Sequence, residues 1–140
     1  MLTTVEKVLL LREVDIFSQV STEQLAYLAA ILEEKPCPTG ELVYQQQDPA
    51  DAMYLVVSGR VRLHREQLEI TVAGQGEAFG TWALFDEEPR LSAAATVEDT
   101  LLLRLDKEDF IDLLADNVEI TQGVLKALVK RMRSLLGQVA

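Results

Sequence analysis

The segment Asp48-Pro49-Ala50-Asp51-Ala52-Met53-Tyr54-Leu55-Val56-Val57-Ser58-Gly59-Arg60-Val61-Arg62-Leu63-His64 decides how the chain folds. Asp48 to Asp51 is turn chemistry, with Pro49 fixing one backbone angle. Met53 to Val57 is continuously apolar, as in a strand buried on both faces. Ser58-Gly59 turns the chain. Arg60 to His64 then alternates strictly, with Val61 and Leu63 expected inward and Arg60, Arg62 and His64 outward. Working outward, Glu41 to Tyr44 reads as a strand before the segment, and Leu68 to Val72 alternates again after it. Gly74-Gln75-Gly76 breaks the chain ahead of Phe79-Gly80. Ser92 to Val97 and Leu101 to Leu105 supply two more strands. Short strands with Gly-rich turns at this spacing point to an antiparallel barrel or jelly roll.

Helical stretches flank this region. The first spans about 3–12 and the second 21–34. Ser21-Thr22-Glu23-Gln24 has capping-box spacing, and Val20 and Leu25 sit at the staple positions around it. Leu25, Leu28, Ala29 and Leu32 recur at helical spacing until Pro36. At the far end Asp106 is placed to cap a helix from Lys107, and a last helix runs from about Asn117 to Leu136. Its apolar stripe includes Ile120, Val124, Leu128 and Leu135. Lys126, Lys130, Arg131 and Arg133 cluster in its later turns, where the helix dipole favours cations.

Composition narrows the function classes. The chain has 140 residues, 49% of them hydrophobic, and a formal net charge of −10. That length suits one domain with its own core. Apolar runs such as Ala52 to Val57 are far short of the roughly 18–20 residues of a membrane span. The N-terminus mixes Glu6 and Lys7 and lacks signal-peptide features, so the expected location is cytoplasmic. The acidic balance opposes non-specific nucleic-acid binding. Cys37 and His64 are the sole members of their kinds, which leaves little for a metal site or a cysteine-based hydrolase. Barrels of the cupin type usually hold a metal with several histidines, and no nucleophile elbow, P-loop or Rossmann fingerprint is present. No catalytic residue, metal or cofactor is expected, and the chain reads as a non-enzyme.

The stretch Phe79-Gly80-Thr81-Trp82-Ala83-Leu84-Phe85-Asp86-Glu87-Glu88-Pro89-Arg90-Leu91-Ser92-Ala93 carries the functional signal. A glycine precedes residues able to form one helical turn, and an arginine opens the next strand. Helix-start N–H groups and a guanidinium together suit a small anion. Arg90 is either that anion's ligand or a structural partner of Asp86, Glu87 or Glu88. Trp82 either stacks on a ligand's ring or, the favoured reading, packs into the core. Thr81 either touches ligand or, again favoured, caps the short helix.

Here the chain resembles the cyclic-nucleotide-binding domain family, the module of catabolite-activator-type regulators, protein kinase A regulatory subunits and cyclic-nucleotide-gated channels. The likeness covers nearly the whole chain. Gly40-Glu41 is similar to the family's opening strand signal, and Asp48 to Val61 to its central turn, strand, turn and strand. Phe79-Gly80 and Pro89-Arg90 resemble the two ends of its phosphate-binding cassette. The resemblance implies an α+β fold, an antiparallel β-roll (a jelly-roll-like barrel) over 40–105, flanked by N-terminal helices and by C-terminal helices over 107–136, forming a single domain over 1–140. It implies a ligand site at Phe79, Gly80, Thr81, Trp82, Ala83, Arg90, Leu91 and Ser92. Gly80 and Arg90 match the family's glycine and its phosphate-pairing arginine. Thr81 stands where the family has a ribose-binding glutamate, Leu91 where it usually has a small residue, and Gln47 where it usually has a glycine.

The function this implies is a regulatory sensor or interaction module, part of a larger protein, with weakened or lost nucleotide binding. The alternative is a working cyclic AMP or cyclic GMP receptor that uses Arg90 and backbone groups. Family regulators append a helix-turn-helix after the long helix; this sequence ends at Ala140, so no direct nucleic-acid contact is expected. The stripe at Ile120, Val124, Leu128 and Leu135 either packs on its own chain or forms a homodimer seam, as the matching helix does in many relatives.

Overall fold

In a computed structural model, residues 1–137 are described. They fall into two compact units: Ile31–Phe110, and Met1–Ala30 together with the residues from Ile111 onward.

The first unit is a pair of four-stranded antiparallel sheets, built from β1 (Glu33–Cys37), β2 (Leu42–Tyr44), β3 (Ala52–Ser58), β4 (Val61–Arg65), β5 (Leu68–Ala73), β6 (Ala78–Phe79), β7 (Ala93–Thr96) and β8 (Thr100–Asp106). One sheet runs β1-β8-β3-β6 and the other β2-β7-β4-β5. The continuously apolar β3 is an interior strand between β8 and β6, which explains why it has no polar face. Alternating β4 lies between β7 and β5, with Val61 buried and Leu63 packed against the same core. That core gathers Tyr44, Tyr54, Val56, Val61, Phe79, Ala94 and Leu102 from both sheets. Tyr54 and Phe79 stack with ring centroids 5.3 Å apart, and Tyr44 tilts against both. Aromatic pairs of this kind add about 0.5–1.5 kcal/mol beyond the area they bury.

The sheets open earlier than the sequence suggests. The helix expected over 21–34 ends at Ile31, and Glu33–Cys37 pairs with β8 instead. Pro36 is tolerated because β1 lies at a sheet edge, where a missing N–H leaves no ladder bond broken. Cys37 is buried, and its thiol is pushed up to about 12 by that burial first and by Glu41 beside it. It is a packing residue, as its position between two prolines suggests.

The second unit holds α1 (Thr4–Arg12), a 3-10 turn at Asp15–Phe17, most of α2 (Thr22–Ile31), the greater part of α3 (Lys107–Asp116), and α4 (Val118–Leu136). Thr3 caps α1 in a full capping box with Glu6, at 3.1 Å and 2.9 Å. Ser21 Oγ accepts from Gln24 N–H at 3.3 Å, and Asp106 Oδ2 from Asp109 N–H at 3.1 Å, as the spacing predicts. Gly123 marks a close approach in this unit. A Cβ there would sit 2.8 Å from Val20 Cγ2 and 2.9 Å from the Gln19 carbonyl oxygen, so α4 meets that segment at backbone distance. Arg131 on α4 pairs with Asp15 at 2.6 Å. No helix among the described residues is long and apolar enough to cross a membrane.

Candidate functional site

Gly80 ends β6 in the left-handed region, at φ +71°, and starts a single 3-10 turn over Thr81–Leu84. Three residues per turn divide the turn sharply. Ala83 and Leu84 are buried, while Thr81 is half-buried and Trp82 is 61% exposed. Trp82 therefore does not pack into the core, contrary to the expectation above. Thr81 is not a cap either: Gly80 is the cap residue, and no side-chain cap bond forms. Phe79 is buried, Ser92 half-buried, and Leu91 exposed with its carbonyl accepting from Arg65 Nε at 3.1 Å.

Arg90 is the centre of the site. It is only 5% exposed, one of few buried polar side chains. Nη2 donates to the Ala52 carbonyl at 2.7 Å and Nη1 to the Gly80 carbonyl at 3.3 Å. The guanidinium carbon lies 4.0 Å over the Tyr44 ring and 6.0 Å from that of Tyr54. Such cation–π contacts are worth roughly 0.5–2 kcal/mol, more when water is excluded. Nε is buried and makes no hydrogen bond among the described residues. Gly80 is required here because a Cβ on it would fall 2.6 Å from Arg90 Nη1. Glycine and arginine, ten residues apart, are thus in direct contact. The Arg90 backbone is fixed as well, donating to the Asp48 carbonyl and accepting from Gln47 N–H, both at 2.8 Å.

The ion pairing differs from the sequence expectation. Arg90 pairs with Asp51, Nη2 to Oδ1 at 3.8 Å, and not with Asp86, Glu87 or Glu88. Asp86 turns back to accept from the Glu88 N–H, and Glu87 meets Lys107 Nζ at 2.8 Å. Loop acids next to Pro89 point outward, whereas the turn before β3 reaches the guanidinium. Asp51 also meets Arg104 Nη2 at 3.5 Å, and Arg104 in turn contacts Glu33 at 3.5 Å and Asp106 at 3.3 Å. Burial works against the Arg104 charge, but Tyr54, Asp51 and Asp106 outweigh it and hold its pKa above the ordinary value. Burial raises the Tyr44 hydroxyl pKa, with Arg90 partly opposing.

Tyr44, Asp51, Ala52, Tyr54 and Arg104 were not singled out as site residues from the sequence. The one available signal was an aspartate at the end of a turn, next to a strand too apolar to satisfy a charge. Just before β4 Arg60 pairs with Glu98, and on β4 Arg62 pairs with Glu69, so that face is ordinary balanced surface. Among the described residues, no group of three or more His, Cys, Asp or Glu side chains could hold a metal ion.

The helical stripe is split by the structure. Ile120 and Val124 are buried within the chain, which favours the reading in which that part of the stripe packs on its own chain. They share a face with Gly123 and Ala127, the face the close approach at Gln19-Val20 covers. Leu128 is half-buried, and Leu135 is exposed. The exposed apolar positions are Val118, Leu125, Val129, Met132 and Leu136, on the opposite side of α4.

Comparison with known proteins places this geometry. The family description "Cyclic nucleotide-binding domain" matches residues 34–117. The chain is 29% identical over 129 residues to a CRP-like cAMP-activated global transcriptional regulator of Mycobacterium tuberculosis, covering 89% of this chain and 58% of the relative. It is 35% identical over 123 residues to the cyclic AMP receptor protein of Thermus thermophilus, covering 84% of this chain and 57% of the relative. This chain therefore spans less than two thirds of the length of either relative. Among solved structures, the N-terminal domain of a transcriptional regulator from Streptomyces coelicolor superposes with a TM-score of 0.84 at 30% identity, covering 90% of this chain and 92% of that one.

Proposed function

Because the chain belongs to the cyclic nucleotide-binding domain family, we propose that it is a regulatory module whose Arg90 site receives a cyclic nucleotide, or another small anion, with reduced affinity. The observation that carries this reading is the state of Arg90. It is buried behind Gly80, stacked on Tyr44, and already bonded to the carbonyls of Gly80 and Ala52. A phosphate must compete with those acceptors for the guanidinium or use the N–H groups they leave over, the unpaired Nε among them. Thr81 offers a neutral hydroxyl where the family's glutamate would supply a charged acceptor. A charged hydrogen bond is worth about 1.5–3 kcal/mol, so its loss costs roughly one to two orders of magnitude in affinity.

The unpaired Nε is the one feature favouring the second reading, a working receptor. A buried donor without a partner costs about 1–3 kcal/mol, which an anion would recover. In either case the relatives' names, cAMP-activated regulator and cyclic AMP receptor protein, favour cyclic AMP as the first ligand to test. The same reading makes the module part of a longer cytoplasmic regulator. It acts by binding rather than catalysis, makes no nucleic-acid contact of its own, and pairs with a second copy through α4.

Isothermal titration with cyclic AMP and cyclic GMP tests the site, with Trp82 fluorescence as a parallel readout. Weak saturable binding lost in Arg90→Ala is expected, together with a gain of roughly 10- to 100-fold in Thr81→Glu. No binding at millimolar nucleotide in any of these proteins, or full binding in Arg90→Ala, would remove the reading.

A further inference from the structure

The carboxylate of Asp51 lies between two guanidiniums and is bonded closely to neither. Oδ1 is 3.8 Å from Arg90 Nη2, and Oδ2 is 3.5 Å from Arg104 Nη2. Both distances exceed those of a tight charge-assisted hydrogen bond, so the carboxylate is shared. Its backbone is held fast, since the Asp51 carbonyl accepts from Lys107 N–H at 2.9 Å and Ala52 is in register with Asp106. Only side-chain rotation is left to choose between the two arginines. Arg104 is the better anchored, because it also contacts Glu33 and Asp106. Arg90 has no other carboxylate partner among the described residues.

We infer that Asp51 is a built-in competitor for the anion at Arg90, and that Arg104 sets how strongly it competes by drawing the carboxylate away. The inference rests on the reading of Arg90 as the anion's ligand. An incoming anion meets Arg90 with a fixed negative charge beside it, and like charges at this range oppose binding. Asp51 is 67% exposed, so solvent screens the effect. Removing the charge should therefore strengthen anion binding only modestly, by about two- to fivefold, the range typical of exposed ion pairs. Removing Arg104 should have the opposite sign, because the carboxylate then has Arg90 as its sole cation.

The experiment is a double-mutant cycle read by titration with cyclic AMP, using wild type, Asp51→Asn, Arg104→Gln and the double variant, with Arg90→Ala in parallel. Asp51→Asn keeps the size and the backbone bonds of an exposed residue, and thermal melts check that every variant is folded. The expected result is tighter binding in Asp51→Asn, weaker binding in Arg104→Gln, and a double variant that binds as Asp51→Asn does. A purely structural role for either residue does not produce opposite signs or abolish the Arg104 effect in the Asp51→Asn background. The competitor role is overturned if Asp51→Asn binds equally or more weakly while Arg90→Ala still loses binding. It is also overturned if Arg104→Gln weakens binding equally in both backgrounds. If neither wild type nor Asp51→Asn binds at millimolar nucleotide, or Arg90→Ala binds as wild type does, the anion site itself fails and the competitor falls with it.

Discussion

Gln47 adopts φ +75°, a left-handed conformation that side chains with a Cβ rarely take. The turn needs it there: Gln47 N–H donates to the Arg90 carbonyl at 2.8 Å, and Asp48 Oδ2 accepts from Gln45 N–H at 2.9 Å. Holding a residue with a Cβ in this region costs about 1–2 kcal/mol, while glycine carries no such penalty but a larger unfolded-state entropy. Gln47→Gly should therefore gain a net of about 0.5–1 kcal/mol, visible in urea denaturation as a higher midpoint at unchanged slope. A lower midpoint would mean that the Gln47 side chain holds the turn in a way its backbone does not reveal. The sequence marked this position, since the family resemblance places a glycine there, but the strain is visible only in the backbone angles. Trp82 shows the reverse case. The family resemblance, with an aliphatic residue at this position, reads Trp82 as core, yet a four-residue 3-10 turn has room inward for only Ala83 and Leu84.

At the scale of elements, capping residues and strict alternation were legible, because each is a local device. Ser21, Asp106 and the Val61-Leu63 face behave as their spacing predicts. The Thr3–Glu6 box has the same spacing and forms in the same way. β1 was not legible: Glu33-Glu34-Lys35-Pro36-Cys37 has neither strand propensity nor alternation, and it is a strand because β8 offers it an edge. Long-range clamps are also invisible in sequence. Asp99, just before β8, accepts from both the backbone N–H and the hydroxyl of Thr39, each at 2.9 Å, 60 residues away. The backbone bond chiefly, then the hydroxyl, holds the Asp99 carboxyl below the usual aspartate range. In the unfolded chain that carboxyl regains its ordinary pKa and binds protons more readily as pH falls. The clamp's stabilisation is therefore fully present above the ordinary aspartate pKa, about 3.9, and is lost as pH drops through the lower folded value. Asp99→Asn should be less stable than wild type at pH 7, and the gap should close in acid. A gap that stays constant down to pH 2 would show that the carboxylate's charge contributes nothing.

For the molecule as a whole, α4 raises the question of association. It is apolar on two sides. Ile120, Val124 and Ala127 are buried, whereas Leu125, Val129, Met132 and Leu136 are exposed at spacings of four, three and four residues. Periodicity shows that a helix has apolar positions, but it does not say which of two faces its own chain covers. Gly123 was the clue that could have done so, since a mid-helix glycine costs about 1 kcal/mol and is usually kept for a close approach. The spacing of the exposed set is that of a two-helix seam. Lys126, Lys130 and Arg133 lie along one flank of that set only. If this face pairs with a second copy, sedimentation equilibrium should show a concentration-dependent dimer, abolished by Leu125→Glu with Met132→Glu at unchanged thermal stability. Ile120→Ala should act differently, costing about 2–5 kcal/mol of stability by opening a cavity in its own chain while leaving the association of the folded protein unchanged. A wild type that stays monomeric at several hundred micromolar would reject the exposed face as a seam. Dimer loss in Ile120→Ala at full stability would instead return the seam to the buried side.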